Sequence, residues 1–350
     1  MVETNRQEYG TFIPFLMRIT DEELLDSSLQ SGESALGDQA LAEVKTTATQ
    51  RFDRGILYYQ HGAYQPALMA FQEALSLYKT CHDLNGQAQA WLGLGLTSYA
   101  MKQYAESVAF SNHGLTVAHS IGDRWTERQA LSNLGNAYRH LYDYEQALHY
   151  NRQALALSEQ LEDLPSQAAT WSNLGLLYKA MGEHHQAIAC YESGLQVASQ
   201  LGDRQVECQI LQNLGNVHHK LGEHGKTITY YERLLQLVHS AADYQAELKI
   251  LKSLSSAYYI IKNYAKSIAF LQKRLLLARK LHDSNNEVQS LGMLGTIYHA
   301  IGKHNDALKC HEQQLSLAQQ LNQTQIVQQT RITLKTLCCI LGDFERASQY

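Results

Sequence analysis

Leucine-glycine recurs every forty residues without slippage, at Leu94-Gly95, Leu134-Gly135, Leu174-Gly175, Leu214-Gly215 and Leu294-Gly295, with Leu254-Ser255 filling the one gap. A fixed period of this length constrains the fold more than any other feature. A unit of forty residues cannot bury its own apolar face and is stable only against its neighbours, so the chain reads as one continuous array rather than two or three globular domains. Function is then expected on an extended surface.

Composition narrows the partner. The 350 residues carry 29 Lys plus Arg against 34 Asp plus Glu, a formal charge of -5 without a long run of like charge, which argues against nucleic acid. Only Pro14, Pro66 and Pro165 interrupt the chain, in keeping with helix throughout. The apolar stretch from Phe12 to Ile19 is too short to span a membrane and lacks the flanks of a signal peptide, so a soluble, cytoplasmic protein is expected. The cysteines, Cys81, Cys190, Cys208, Cys310, Cys338 and Cys339, have no CxxC spacing and read as small buried hydrophobes.

Residues 124–163 illustrate the unit. Leu131, Leu134, Ala137, Tyr138 and Leu141 follow helical spacing, a break falls at Tyr142-Asp143, and Tyr144, Ala147, Leu148, Asn151, Ala154 and Leu155 resume the period in a second helix. Gly182, Gly222, Gly302 and Gly342 stand where a first helix must close, and Asp83, Asp123, Asp163, Asp203, Asp243 and Asp283 stand where the next must be capped. Glycine inside a helix costs about 1 kcal/mol, so Gly95, Gly135, Gly175, Gly215 and Gly295 imply close helix approach. The expected counterparts are the small residues Ala67, Ser107, Ala147, Ala187, Thr227, Ser267, Ala307 and Ala347 of the second helix.

This pattern resembles the tetratricopeptide repeat. Its first-helix places are held by Trp91, Trp171, Leu131 and Leu211, by the Leu-Gly pairs, and by Tyr138, Tyr178, Tyr258 and Tyr298; its second-helix aromatic place is held by Phe71, Tyr191 and Tyr231. The forty-residue period and the phrase Asn-Leu-Gly-Asn at 133–136 and 213–216 are similar to the long-helix subclass of Pins-type scaffolds and bacterial tandem-repeat regulators. The resemblance implies an all-α, right-handed superhelix of about eight helix pairs over residues 48–350. In the last unit Arg331 and Lys335 replace the aromatic and the glycine, which fits a terminal cap. Residues 1–47 stand outside the period as an N-terminal extension, with a capping box at Thr20-Asp21-Glu22-Glu23 predicting a short helix from about 21 to 30 that either covers the first repeat's edge or folds into the groove or engages a partner.

The resemblance also implies that first helices line a concave face. The residue before each Leu and those after each Gly then point inward: Asn133, Asn136, Arg139 and His140; Asn173 and Lys179; Asn213, Asn216, His219 and Lys220; and further on Ser253, Ser256, Tyr259, Met293, Thr296 and His299. Asparagine amides could hold an extended peptide by its backbone, and Arg139, Lys179 and Lys220 supply charge for acidic side chains or a free carboxylate. The same asparagines would equally serve to bond neighbouring helices.

Sixteen histidines invite a metal, yet His184, His224 and His304 occupy the places of Tyr64, Tyr104, Tyr144 and Tyr264 and read as packing residues, so no metal or other cofactor is expected. No nucleophile elbow, phosphate loop, HExxH or paired carboxylates mark an enzyme. The expected role is a scaffold for a protein or peptide, of unspecified oligomeric state. The rivals are a regulatory or sensory module of a signalling system, and a platform whose effector lies beyond Tyr350.

Overall fold

The computed structural model describes residues 34–350, and the short helix expected at 21–30 lies outside them. The described residues form helical hairpins in tandem, with no strand among them. The first three pairs are α1 (Ser34–Gln60) with α2 (Tyr64–Thr80), α3 (Leu84–Ala100) with α4 (Tyr104–Ile121), and α5 (Arg124–His140) with α6 (Tyr144–Gln160). Next come α7 (Leu164–Met181) with α8 (His184–Leu201), α9 (Arg204–Lys220) with α10 (His224–Ser240), and α11 (Tyr244–Ile260) with α12 (Tyr264–Lys280). The series ends in α13 (Ser284–Ala300) with α14 (His304–Gln320), and α15 (Thr324–Ile340) with the single turn α16 (Phe344–Ala347). The chain divides into two compact units between Ile210 and Leu211, inside α9.

Every connection closes on a left-handed residue, and most add a side-chain cap. After α2, the His82 N–H bonds the Lys79 carbonyl at 3.3 Å and the Asp83 N–H bonds the Tyr78 carbonyl at 2.9 Å, the paired closure that requires a left-handed residue at position 82. Asp83 then accepts from the Gly86 N–H at 3.1 Å and so starts α3. One residue therefore ends one helix and caps the next. Asp123, Asp163, Asp203, Asp243 and Asp283 all cap as the sequence implies. Asp143, Asn263 and Asp343 do the same within hairpins. The left-handed residue recurs every twenty residues from Gly62 to Gly342, and where glycine is missing it is His82, Lys102, Tyr142, Glu162, Ala242, Lys262, His282 or Asn322.

The mid-helix glycines do admit a close neighbour, but not the small residues expected. A Cβ on Gly95 would lie 2.6 Å from Ser111 Oγ, one on Gly215 2.5 Å from the Tyr231 ring and one on Gly295 2.5 Å from His311, while Gly135 and Gly175 face Asn151 and Tyr191. The residue over the glycine is thus the one a turn further along the second helix, and it can be large because the glycine makes room. Ala67, Ser107, Ala147, Ala187, Thr227, Ser267 and Ala307 are fully buried beside it. A second compensation couples Trp to Gly within a hairpin: Gly114 and Gly194 stand against the Cβ atoms of Trp91 and Trp171, at 3.4 and 3.1 Å from where their own would be.

Tyrosines stitch successive repeats. The Tyr178 hydroxyl accepts from Arg152, the Tyr258 hydroxyl donates to Glu232, and the Tyr298 hydroxyl accepts from Gln272, each twenty-six residues back on the preceding second helix. Cys190 and Cys338 are buried, whereas Cys339 is exposed, in contrast to the expectation for all six.

Candidate functional site

First helices of successive repeats lie against one another, α1 on α3, α3 on α5 and α5 on α7 in the first unit and α11 on α13 in the second. That contact puts them on the inner side of each unit. Solvent exposure then identifies which first-helix residues form the inner surface. On α11 the outward stripe is Gln245, Lys249, Lys252, Ser256, Tyr259 and Ile260, and on α13 it is Asn285, Gln289, Thr296 and His299. The i, i+4, i+7 spacing of these residues is that of one helix face.

The residue before each Leu is not on that stripe. Gly93 faces the Phe71 ring, Met293 packs with Leu271 and Ile268, and Ser253 meets the Tyr231 hydroxyl, all on the preceding second helix. The same register directs Asn133 and Asn173 into the seams between repeats of the first unit, where Asn133 is 7 % exposed and Asn173 half-buried; Asn213, in the second unit, is also half-buried. The residue after each Gly does lie on the inner side, but the units differ. Asn136 is 7 % exposed in the first, whereas Asn216 is open in the second. Asn216 accepts from the Tyr231 hydroxyl at 2.7 Å, which fixes its amide.

Arg139 sits in a polar cluster of the first unit. Its Nη2 donates to the Tyr99 hydroxyl at 3.4 Å and to His140 Nε2 at 3.0 Å, and His140 stacks on Tyr104 at 4.4 Å between ring centroids. Burial, with the charges of Arg139 and Lys102, lowers the His140 pKa to about 4, so the imidazole stays neutral and can accept. Arg139 is therefore held by neutral groups and keeps an uncompensated positive charge. Lys179 is half-buried on α7 of the same unit. In the second unit His219 and Lys220 are exposed; the His219 ring lies 5.6 Å from that of His224.

His224 and His304 are packing residues, as their phase implies, since the pairs Tyr59–Tyr64, Tyr99–Tyr104 and Tyr259–Tyr264 sit at equivalent places with centroids 5.5–5.6 Å apart. Among the described residues no three His, Cys, Asp or Glu side chains gather to hold a metal, and no helix is long and apolar enough to cross a membrane.

Lys249, Lys252 and the inner glutamines escape the sequence reading because it considered inward places only around and beyond the Leu-Gly pair. The helical period extended toward the N-terminus would have found them. One property unites these places. At the residue after Gly, at the two that lie three and four further on, and at those four, seven and eleven before it, no repeat carries Asp or Glu.

The tetratricopeptide repeat profile matches residues 86–160, 166–240 and 247–320, more than half of the chain. The chain belongs to the tetratricopeptide repeat family. Comparison with curated protein sequences returns no match. Among solved structures, a signal transduction ATPase with numerous domains bearing a tetratricopeptide repeat sensor, from Pyrococcus horikoshii, superposes with a TM-score of 0.62 at 14% identity over 98% of this chain. The chain spans 51% of that protein. The apo quorum sensor NprR from B. thuringiensis gives 0.53 at 16% identity, covering 99% of this chain and 97% of its own. A Rap protein complexed with competence and sporulation factor gives 0.53 at 16% identity, covering 76% and 80%. At these identities the likeness establishes a shared repeat fold.

Proposed function

We propose that this tetratricopeptide repeat chain is a protein-interaction module that takes an extended segment of a partner polypeptide on its first-helix surface, the segment carrying acidic side chains or a free carboxylate. The carrying observation is the absence of Asp and Glu from the inner places of every repeat in a chain whose formal charge is -5. Acidic residues instead serve as caps or pair elsewhere, as Glu223 does with Lys226 and Glu287 with Arg279. Amides and hydroxyls between the cations suit a peptide backbone, which offers a donor and an acceptor at each residue. Asn216, His219 and Lys220 would contact such a segment on the second unit, and Arg139 and Lys179 one on the first, while Asn133 and Asn173 would hold the seams that set the surface of the first. Such a role needs no catalytic group or cofactor and is compatible with a cytoplasmic setting.

The test is affinity capture from the cells that produce the protein, comparing wild type with Lys220→Glu and Arg139→Glu. A polypeptide recovered by wild type and lost from at least one variant, with unchanged far-ultraviolet circular dichroism, is the expected outcome; equal recovery by all three would sink the reading.

A regulatory module is the second reading, and the solved neighbours favour it: one is described as carrying a repeat sensor, one as a quorum sensor, and one is complexed with a sporulation factor. A change in the small-angle scattering profile on adding the captured partner segment would select regulation over a plain scaffold.

A further inference from the structure

The outward stripe of α11 changes character along its length. Lys249 and Lys252 are exposed near its middle, and among the described residues no carboxylate or other side chain bonds either amine. Three other lysines of the second unit are engaged: Lys226 pairs with Glu223 at 3.1 Å, Lys266 bonds the Tyr258 hydroxyl at 3.1 Å, and Lys280 covers the Tyr244 ring. The nearest acidic residues on α11 are committed, Asp243 to the helix cap and Glu247 to His239 at 3.1 Å. At the C-terminal end the stripe turns apolar, with Tyr259 and Ile260 exposed by 38% and 46%. Ser256, small and half-buried, separates the two ends. Large apolar side chains left in water beside two free ammonium groups are costly to solubility and suit a partner that covers both.

We propose that this α11 face is a two-part docking site for a partner polypeptide in extended form, whose paired acidic side chains meet Lys249 and Lys252 and whose apolar side chains cover Tyr259 and Ile260. The inference rests on the reading that the first-helix surface binds a polypeptide, and it adds the pattern the segment must carry. From Lys252 to Ile260 the helix rises ~12 Å at about 1.5 Å per residue. An extended chain covers that distance in about four residues at roughly 3.3 Å each. The acidic pair and the apolar pair are therefore about four residues apart in the partner. Charge selects the segment and sets its register, and the apolar end supplies most of the affinity.

A phage-displayed library of random dodecapeptides, selected on the full chain, tests this. Enriched peptides are expected to carry two acidic residues about four places from two apolar ones. One of them, synthesised and labelled, should bind with an anisotropy change that weakens about tenfold in the K249E/K252E double variant and weakens as salt rises. Ile260→Ser should weaken it without altering the salt dependence. Enrichment without acidic bias, no enrichment above an unrelated protein, or equal binding by K249E/K252E overturns the assignment, as does tighter binding of single-stranded DNA at this face. If selected peptides ignore K249E/K252E yet are lost on Lys220→Glu or Arg139→Glu, the general binding role stands and the α11 site falls.

Discussion

Two residue-level devices carry this structure. One is space: Gly175 lets the Tyr191 ring lie across α7 and Gly215 admits Tyr231 in the same way. The other is protonation. Neutral His140 accepts from Arg139, and burial depresses its pKa to about 4 while the unfolded chain titrates near the ordinary 6.5. A depressed histidine pKa means that the unfolded state binds the proton first as pH falls. The contribution of His140 is therefore complete above pH ~6.5 and is lost progressively toward about 4. Urea midpoints compared at pH ~7 and pH ~5 should fall more for wild type than for His140→Gln. His311, whose pKa burial also lowers, keeps part of the dependence in the variant. Identical pH dependence in the two proteins would refute this assignment.

Between elements, the least expected feature is Arg274 on α12, 1 % exposed and charged at a place where other second helices have Ala74, Gly114, Ala154, Gly194, Leu234 and Gln314. Its Nε donates to the Leu248 carbonyl of α11 at 3.2 Å, Nη1 donates to Ser290 of α13 at 2.9 Å, and Nη2 to Asn286 and Gln289. One guanidinium thus joins both first helices that flank α12. Arg274→Ala should destabilise the second unit by ~2–4 kcal/mol, combining a cavity with stranded polar groups. Arg274→Lys should recover little, because a single ammonium lacks the planar fork that reaches both sides. Urea denaturation of the two variants checks this, and full stability in the lysine variant would show that charge alone suffices. The sequence period makes Arg274 stand out but does not identify its acceptors, which come from two helices on either side.

Across the whole molecule, tandem packing makes stability local. Each hairpin of the array is buried by its neighbours, so damage should spread to adjacent repeats and then fade. Leu294→Ala, in the core formed with Leu271 and Ile297, should cost ~2–5 kcal/mol. Hydrogen exchange followed by mass spectrometry should then show faster exchange across α11–α14 with α2–α4 unchanged. Uniform acceleration along the chain would mean a single cooperative unit instead.

Helix pairs, turns, caps and the family were legible in the sequence because each depends on a local rule repeated every forty residues. A left-handed residue closes a helix, an aspartate starts the next, and leucines at helical spacing mark the buried face. Which inner residues meet a partner was not legible: the residue after Gly shares the stripe of Ser256 and Thr296, Gly93, Ser253 and Met293 before Leu pack on the preceding second helix, and Lys249 and Lys252 stand at places that the Leu-Gly pair does not mark. Tertiary packing alone decided which side chain covers each glycine, which polar groups satisfy Arg274, and that Asn136 is enclosed while Asn216 is open. Those outcomes depend on how closely one hairpin approaches the next, a distance set by side-chain volumes on both partners and therefore not written in either helix taken alone.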